Sequence, residues 1–219
     1  ITEVGSLEHD TDHGTHNSLV QVDSDTYALA YAGTAFDGFI STFTISSDGT
    51  TITEVDSLEH DTDTGTHNSL VQVDSDTYAL AYAGAGAGST SDGFISTFTI
   101  DSDGTITAVK TQSEGNNLEH DTDNSTWNSL VQVDSDTYAL AYAGAGAGST
   151  SDGFISTFTI DSDGTITAVK TQSEGNNLEH EAGTAIYNSL VQVDSDTYAL
   201  AYTGGECGGC TANDGFIST

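Results

Sequence analysis

The stretch NSLVQVDSDTYALAY, residues 17–31, occurs four times in this chain of 219 residues. Its copies begin at Asn17, Asn68, Asn128 and Asn188, so their spacings are 68 − 17 = 51, 128 − 68 = 60 and 188 − 128 = 60 residues. Residues 68–120 and 128–180 are identical at every position. A period of this length is typical of repeat architectures, in which each small unit buries its core against its neighbours.

The side chains within each copy alternate with a period of two, which predicts short β-strands. In residues 27–32 the large side chains Tyr27, Leu29 and Tyr31 lie on one face, and three alanines lie on the other. Asp-Gly pairs at 37–38 and 48–49 indicate tight turns between strands. We expect the large face of one unit to pack against the small face of the next.

Tandem four-stranded units of about 40–60 residues are typical of β-propellers. We therefore predict an all-β protein, a β-propeller built from four four-stranded antiparallel blade repeats. The repeats form either a closed four-bladed ring or a segment of a larger ring or array. They cover approximately residues 17–67, 68–127, 128–187 and 188–219, and residues 1–16 complete the last blade.

The motifs DSDTYALAYAG, DGFISTFTI and SDGT resemble the tandem β-propeller repeats of large secreted and cell-surface proteins. The resemblance covers essentially the whole chain and implies the blade fold. It implies no particular activity, because propellers serve as hydrolases, lectins and scaffolds alike.

The charge balance is strongly acidic, with 34 Asp and Glu residues against 2 Lys and Arg residues and a formal net charge of −32. We expect no nucleic-acid binding, since phosphate contacts require Lys and Arg. No run of apolar residues approaches the roughly 20 that a membrane span needs, so we expect no membrane insertion. Salt or bound cations relieve the repulsion between so many carboxylates. Because both fit an extracellular setting, the charge favours an extracellular or cell-surface location.

An acidic turn follows the fourth strand in three copies, as DTDHG (10–14), DTDTG (61–65) and DTDNS (121–125). Two carboxylates on one side of a tight turn are typical of calcium loops, and calcium is the one cofactor that the sequence suggests. The alternative interpretation is a solvated acidic turn without a metal. The calcium ligands would be Asp10, Asp12, Asp61, Asp63, Asp121 and Asp123.

A flat ring precedes the Asn-Ser pair in every copy. If these rings are exposed, they suit stacking against a glycan, with adjacent Asn and Ser side chains as hydrogen-bonding groups. If they are buried, they fill the space between blades. The four residues are His16, His67, Trp127 and Tyr187.

A histidine also recurs in the Leu-Glu-His motif. A ring of four such residues would suit a metal at the propeller axis, but a repeated histidine is more often structural and bonded to a turn carbonyl. Its four copies are His9, His60, His120 and His180.

Two further covalent features stand out. Cys207 and Cys210 are the only cysteines, and their spacing favours a local disulfide that closes one loop. The sequence Asn124-Ser125-Thr126 is an N-glycosylation sequon.

These observations reveal no distinct catalytic constellation. We therefore expect a non-enzymatic extracellular structural protein that self-associates into a homopolymer or tandem array and so forms a surface fibre, stalk or layer. The alternative is a carbohydrate-binding, lectin-like propeller adhesin with glycan partners.

Overall fold

The computed structural model describes residues 2–86, 89–112, 116–146, 149–172, 175–205 and 214–219, which form four antiparallel sheets. Sheet 1 contains β1 (Thr15–Gln21), β2 (Thr26–Ala32), β3 (Gly38–Ile45) and β4 (Ile52–Asp61). Sheet 2 contains β5 (Thr66–Gln72), β6 (Thr77–Gly84), β7 (Asp92–Ile100), β8 (Ile106–Lys110) and β9 (Leu118–Asp121). Sheet 3 contains β10 (Ser125–Gln132), β11 (Thr137–Gly146), β12 (Ser149–Ile160), β13 (Ile166–Lys170) and β14 (Leu178–Glu181). Sheet 4 contains β15 (Thr184–Asp194), β16 (Thr197–Gly205) and β17 (Asp214–Ser218).

The prediction of an all-β fold with antiparallel sheets is confirmed. The one helical element among the described residues is a single 3₁₀ turn, Thr34–Phe36. No helix in this part of the chain is long and apolar enough to cross a membrane.

The core lies between consecutive sheets and joins unlike faces. The alanines of β2 and Ile40 pack against the Tyr, Leu and Phe side chains of sheet 2, and the same arrangement recurs between sheets 2 and 3 and between sheets 3 and 4. Tyr78, Leu80 and Tyr82 are completely buried as a result. We call the Tyr-Leu-Tyr side of each sheet its large face and the alanine side its small face.

Hydrogen bonds reinforce each sheet-to-sheet contact at the innermost strands. The backbone N–H of Leu70 donates to Ser18 Oγ at 2.9 Å. The same 2.9 Å bond joins Leu130 to Ser69 and Leu190 to Ser129. The serine of the Asn-Ser pair therefore bridges each sheet to the next.

The outer strands differ from the prediction in two respects. In sheets 2 and 3 the fourth strand is interrupted, because the insertions after Lys110 and Lys170 divide it into two short strands that both pair with the third. Among the described residues, sheet 4 has three strands and residues 2–14 form no strand. The division into repeats, with residues 1–16 completing the last blade, remains a prediction.

Candidate functional site

The candidate site lies where the first strand of each sheet begins. In β1, Thr15 pairs with Ala32 but Ser18 pairs with Ala30, so a β-bulge sets His16 and Asn17 opposite one residue. The same bulge recurs in β5, β10 and β15. A bulge re-aims the side chains that it contains and often lies beside a functional site.

The ring residue of each bulge has a left-handed backbone, which is rare for bulky side chains. The φ angles are 56° at His16, 54° at His67, 57° at Trp127 and 58° at Tyr187. Such conformations cost about 1–3 kcal/mol each and cluster at functional sites. Their repetition in all four sheets shows that the fold holds these rings in place systematically.

The bulges bring the four rings into one continuous row. The ring centroids are 4.3 Å apart for His16 and His67, 4.5 Å for His67 and Trp127, and 4.0 Å for Trp127 and Tyr187. Residues separated by 51 to 60 positions in sequence are therefore neighbours in space. We call these four side chains the ring row.

The ring row and the four asparagines that follow it line one cavity of about 200 Å³. The Asn68 side-chain nitrogen donates to the Gly65 carbonyl at 3.0 Å, and Asn128 makes the equivalent bond to Ser125 at 3.2 Å. Each amide nitrogen carries two hydrogens, so each retains one for a ligand oxygen. Tyr187 remains 58% exposed, and the cavity is therefore open to solvent on that side.

The two histidines of the row are neutral at pH 7. Burial lowers the pKa of His16. Burial, and then the charge of His16, lower the pKa of His67 to about 4. A neutral imidazole presents a free lone pair and can accept a proton.

The recurring histidines of Leu-Glu-His do not form a common ring. His60 and His120 are fully buried and lie edge-on to Tyr82 and Tyr142, with centroids 4.8 and 5.1 Å apart. Each histidine packs against the tyrosine of a different sheet, and no turn carbonyl bonds the ring nitrogens of His60 or His120. Their role is packing, and burial lowers the pKa of both to about 3.

The acidic turns use one carboxylate oxygen to hold their own backbone. Oδ1 of Asp61 accepts the backbone N–H of Asp63 at 3.0 Å and of Thr64 at 3.1 Å, and Asp10 and Asp121 make the same pair of bonds in their own turns. Burial raises the pKa of Asp61, and it raises that of Asp121 to about 6. Across the described ranges, no three His, Cys, Asp or Glu side chains are placed to share a metal ion. The calcium site remains a prediction that requires backbone or water ligands.

Sequence reasoning missed a second acidic group beside these turns. Glu119 lies next to the buried carboxyl of Asp92, and burial together with that carboxyl raises the pKa of Glu119. The only signal was their repetition as Asp152 and Glu179 in the next copy, which the many other acidic residues obscured.

The remaining predicted features stay untested. Cys207 and Cys210 lie outside the described residues. Asn124 donates its side-chain N–H to the Ala143 carbonyl at 3.2 Å, and its neighbour Ser125 is buried. Glycosylation of Asn124 would require that bond to open.

No protein-family model matches the chain. No curated protein matches it either. Solved structures do resemble it. The periplasmic gluconolactonase of Pseudomonas aeruginosa has a TM-score of 0.60 and 11% identity over 93% of this chain and 56% of that one.

A protein of Bacteroides fragilis assigned as a 6-phosphogluconolactonase has a TM-score of 0.56 and 11% identity, over 92% of this chain and 55% of that one. The α-L-arabinofuranosidase of Lactobacillus brevis has a TM-score of 0.50 and 8% identity, over 88% and 63%. The chain therefore spans about half to two thirds of the length of these proteins. At such identities the likeness concerns the fold, which is propeller-like.

These structures correct the functional expectation. The prediction of a non-enzymatic structural protein, with an adhesin as its alternative, is wrong: the similar folds named above are carbohydrate-acting enzymes by description. The inference failed because it required one specialised copy of the repeat to carry a catalytic motif. The structure brings equivalent positions of all four copies into one cavity, so a site need not lie within a single copy.

Proposed function

We propose that the chain is part of a catalytic β-propeller, that it acts outside the cytoplasm, and that it hydrolyses the uncharged lactone or ester of an unphosphorylated sugar acid at the ring row. The observation that carries the proposal is the ring row itself: four rings held at positive φ around one cavity of about 200 Å³. The similarity of the fold to a periplasmic gluconolactonase supports the reaction class and the location.

Trp127 and Tyr187 supply the sugar-binding surface of this site. Flat aromatic faces pack against the apolar faces of sugar rings, while the amides of Asn128 and Asn188 line the same cavity and offer hydrogen bonds to hydroxyl groups. The half-exposed Tyr187 leaves the solvent side of the cavity accessible to a ligand.

His67 supplies the general base. Its neutral imidazole takes a proton from a water molecule as the water oxygen attacks the lactone carbonyl carbon. The tetrahedral intermediate then collapses, the bond from the carbonyl carbon to the ring oxygen breaks, and the imidazolium returns its proton to that oxygen. The product is the open hydroxy acid. General base catalysis of this kind contributes about 10²–10⁴-fold in rate.

Electrostatics favour a neutral substrate over a phosphorylated one. The only Lys or Arg side chains are Lys110 and Lys170, which end strands β8 and β13 and do not line the cavity. A formal net charge of −32 repels phosphate esters and also helps to release the anionic product.

The test is hydrolysis of a panel of aldonolactones by the purified chain, followed as acid release above the spontaneous rate. His67→Asn should lower the catalysed rate by about 10²–10⁴-fold. The matched control is His13→Asn, which changes an exposed histidine outside the cavity and should leave the rate unchanged.

A pH profile, restricted to pH values at which circular dichroism shows that the wild type is folded, separates a catalytic base from a structural histidine. Because the pKa of His67 is about 4, the catalysed rate should be nearly constant from pH 7 to about 5 and should fall as the pH drops through 4. Equal rates for the wild type and His67→Asn, or binding of sugars without turnover of any lactone, would refute the proposal.

A further inference from the structure

Two loop insertions occur together in the second and third copies of the repeat and contact each other. The first lies between β6 and β7 and the second between β8 and β9; in the first copy the loop between β2 and β3 is shorter, and the second insertion is missing. Gln112 of the second insertion donates its side-chain N–H to the Ala85 carbonyl of the first at 2.8 Å. Gln172 and Ala145 make the same bond at 2.6 Å in sheet 3. The two insertions therefore form one structural unit.

A pair of carboxyl groups lies beside this contact in sheet 2. Asp92 begins β7 and has no exposed surface, and Glu119 of β9 is partly buried next to it. Both groups approach Gly86, because a Cβ on Gly86 would touch Asp92 Oδ2 and would lie 2.8 Å from Glu119 Oε1. The glycine thus leaves the space in which the two carboxylates converge.

The buried carboxylate lacks a donor in the part of the chain that the structure describes. Neither oxygen of Asp92 has a hydrogen-bond partner, and the side-chain oxygen of Gln112 is also buried without one. The lysines do not neutralise the pair: the charge of Lys110 lowers the pKa of Asp163, and neither lysine contributes to the raised pKa of Glu119. Burial of an unpaired charge is strongly unfavourable, so a positive group is required at this place.

We propose that Asp92 and Glu119 hold a calcium ion, with the side-chain oxygen of Gln112 and water as further ligands. The available donors are all oxygens, and calcium accepts irregular sets of carboxylate, amide and water oxygens, whereas magnesium requires near-octahedral geometry. The completely buried, unpartnered Asp92 distinguishes this pair from a solvated acidic cluster. The site is separate from the acidic turns and independent of the proposed enzymatic activity.

Sheet 1 shows what the same positions look like without the insertions. Glu59 pairs with Phe39 as Glu119 pairs with Phe94. Glu59 is exposed, however, and Asp37, which corresponds to Asp92, is only partly buried. The buried pair is therefore a property of the insertions and not of the repeat as such.

Sheet 3 repeats only part of the arrangement. Asp152 is 1% exposed, its Oδ1 has no hydrogen-bond partner, and it approaches Gly146 as Asp92 approaches Gly86. Its Glu179 is exposed to solvent, unlike Glu119. Because only one carboxylate is enclosed there, we assign the ion to sheet 2.

The proposed ion lies at the end of sheet 2 that carries the ring row. Thr66, the residue before His67, pairs with Ala83, and the next residue of β6, Gly84, pairs with Asp92. A bound ion would therefore link the start of β7 to β9 at the end of the sheet where the cavity lies.

The test is a calcium titration of the chelator-treated chain by isothermal titration calorimetry at constant ionic strength. We expect the wild type to bind one calcium ion more tightly than the remaining acidic groups do. Glu119→Gln should raise the dissociation constant of that ion at least about tenfold, because it removes one of two charged ligands. The matched control is Glu59→Gln, which loses the same charge at the same position of the repeat and should keep the wild-type affinity.

Thermal melting separates a metal ligand from a residue with only a structural role. In chelator, Glu119→Gln should melt no lower than the wild type, because the amide relieves the repulsion and can donate to Asp92. In calcium, the order should reverse, since the bound ion stabilises only the wild-type site. If Glu119 were merely structural, the variant would melt lower by the same amount in both solutions, and this result would refute the assignment.

The acidic turns provide the second comparison. Asp63→Asn/Asp123→Asn should retain the tight calcium ion that Glu119→Gln loses. If the double variant loses this ion and Glu119→Gln does not, the ion belongs to the turns and the proposal is overturned. Equal titrations of the wild type and Glu119→Gln would also overturn it, and would mean that a proton bridges the two carboxyl groups.

Discussion

Because two histidines are buried, we predict that the free energy of unfolding falls steeply on mild acidification. His60 and His120 have no exposed surface, and their ring nitrogens have no hydrogen-bond partner in the described structure. Burial lowers the pKa of both to about 3 from the usual 6.5. Since protonation would bury an unpaired charge, these rings stay neutral for as long as the chain is folded.

The direction of this pH effect on stability follows from proton linkage. Between pH 6.5 and 3 the unfolded chain binds protons at these histidines and the folded chain does not, so the free energy of unfolding falls as the pH falls. Each pKa unit corresponds to about 1.36 kcal/mol, so at pH 5 each histidine costs about 2 kcal/mol and the pair about 4 kcal/mol. Asp121 acts in the opposite direction, because its raised pKa of about 6 makes the folded state bind a proton more readily. Its contribution at pH 5 is about 1.4 kcal/mol, so the histidines outweigh it.

The measurement is urea unfolding at pH 7 and pH 5, at one protein concentration, for the wild type and for the double variant His60→Asn/His120→Asn. The variant will be less stable at pH 7, but its loss between pH 7 and pH 5 should be smaller than that of the wild type by about 4 kcal/mol. His13→Asn, which removes an exposed histidine, is the control and should retain the wild-type loss. An equal loss in the wild type and the double variant would refute the assignment of the acid sensitivity to these two rings.

Two further perturbations examine the packing and the acidic turns. A Cβ on Gly93 would lie 2.6 Å from His120 Cε1 and 2.6 Å from Ser125 Cβ, so Gly93→Ala should destabilise the fold by about 1–3 kcal/mol. The control is Gly175→Ala, which should cost less, because a Cβ there has no atom within 4 Å, although φ is 68°. Equal losses of stability in the two variants would contradict the packing argument. Calcium should raise the melting midpoint above that in sodium chloride of equal ionic strength, because a bound ion stabilises only the folded turn. The double variant Asp63→Asn/Asp123→Asn should show a smaller difference between the two salts. An unchanged midpoint of the wild type would mean that these segments are acidic turns without a calcium site.

The sequence by itself determined the repeat unit and its strands. Strict alternation in residues 27–32 separates large from small side chains on the two faces of a strand, and this is a local property that the chain cannot satisfy as a helix. The same alternation specifies which faces meet, because tyrosine and leucine fill the space that alanine leaves. Both expectations are met by the completely buried Tyr78 and Ala79, which belong to the cores on the two opposite sides of sheet 2.

The candidate site was only partly predictable. His16, His67, Trp127 and Tyr187 stood out because they share one position in the repeat, and the structure brings all four together in one cavity. Their assembly depends on a β-bulge and a positive φ that the residue types do not predict, since residues other than glycine seldom adopt a positive φ. Both are features of the folded backbone, so only the tertiary structure reveals the row.

The tertiary structure alone also decided which copy of each sheet face is covered. A local sequence pattern does not encode how each repeat stacks on its neighbours. Leu19 and Leu70 occupy identical positions in identical motifs, yet one is 60% and the other 4% exposed. What separates them is the presence or absence of a neighbouring sheet, because burial is a property of the assembled fold and not of the repeat.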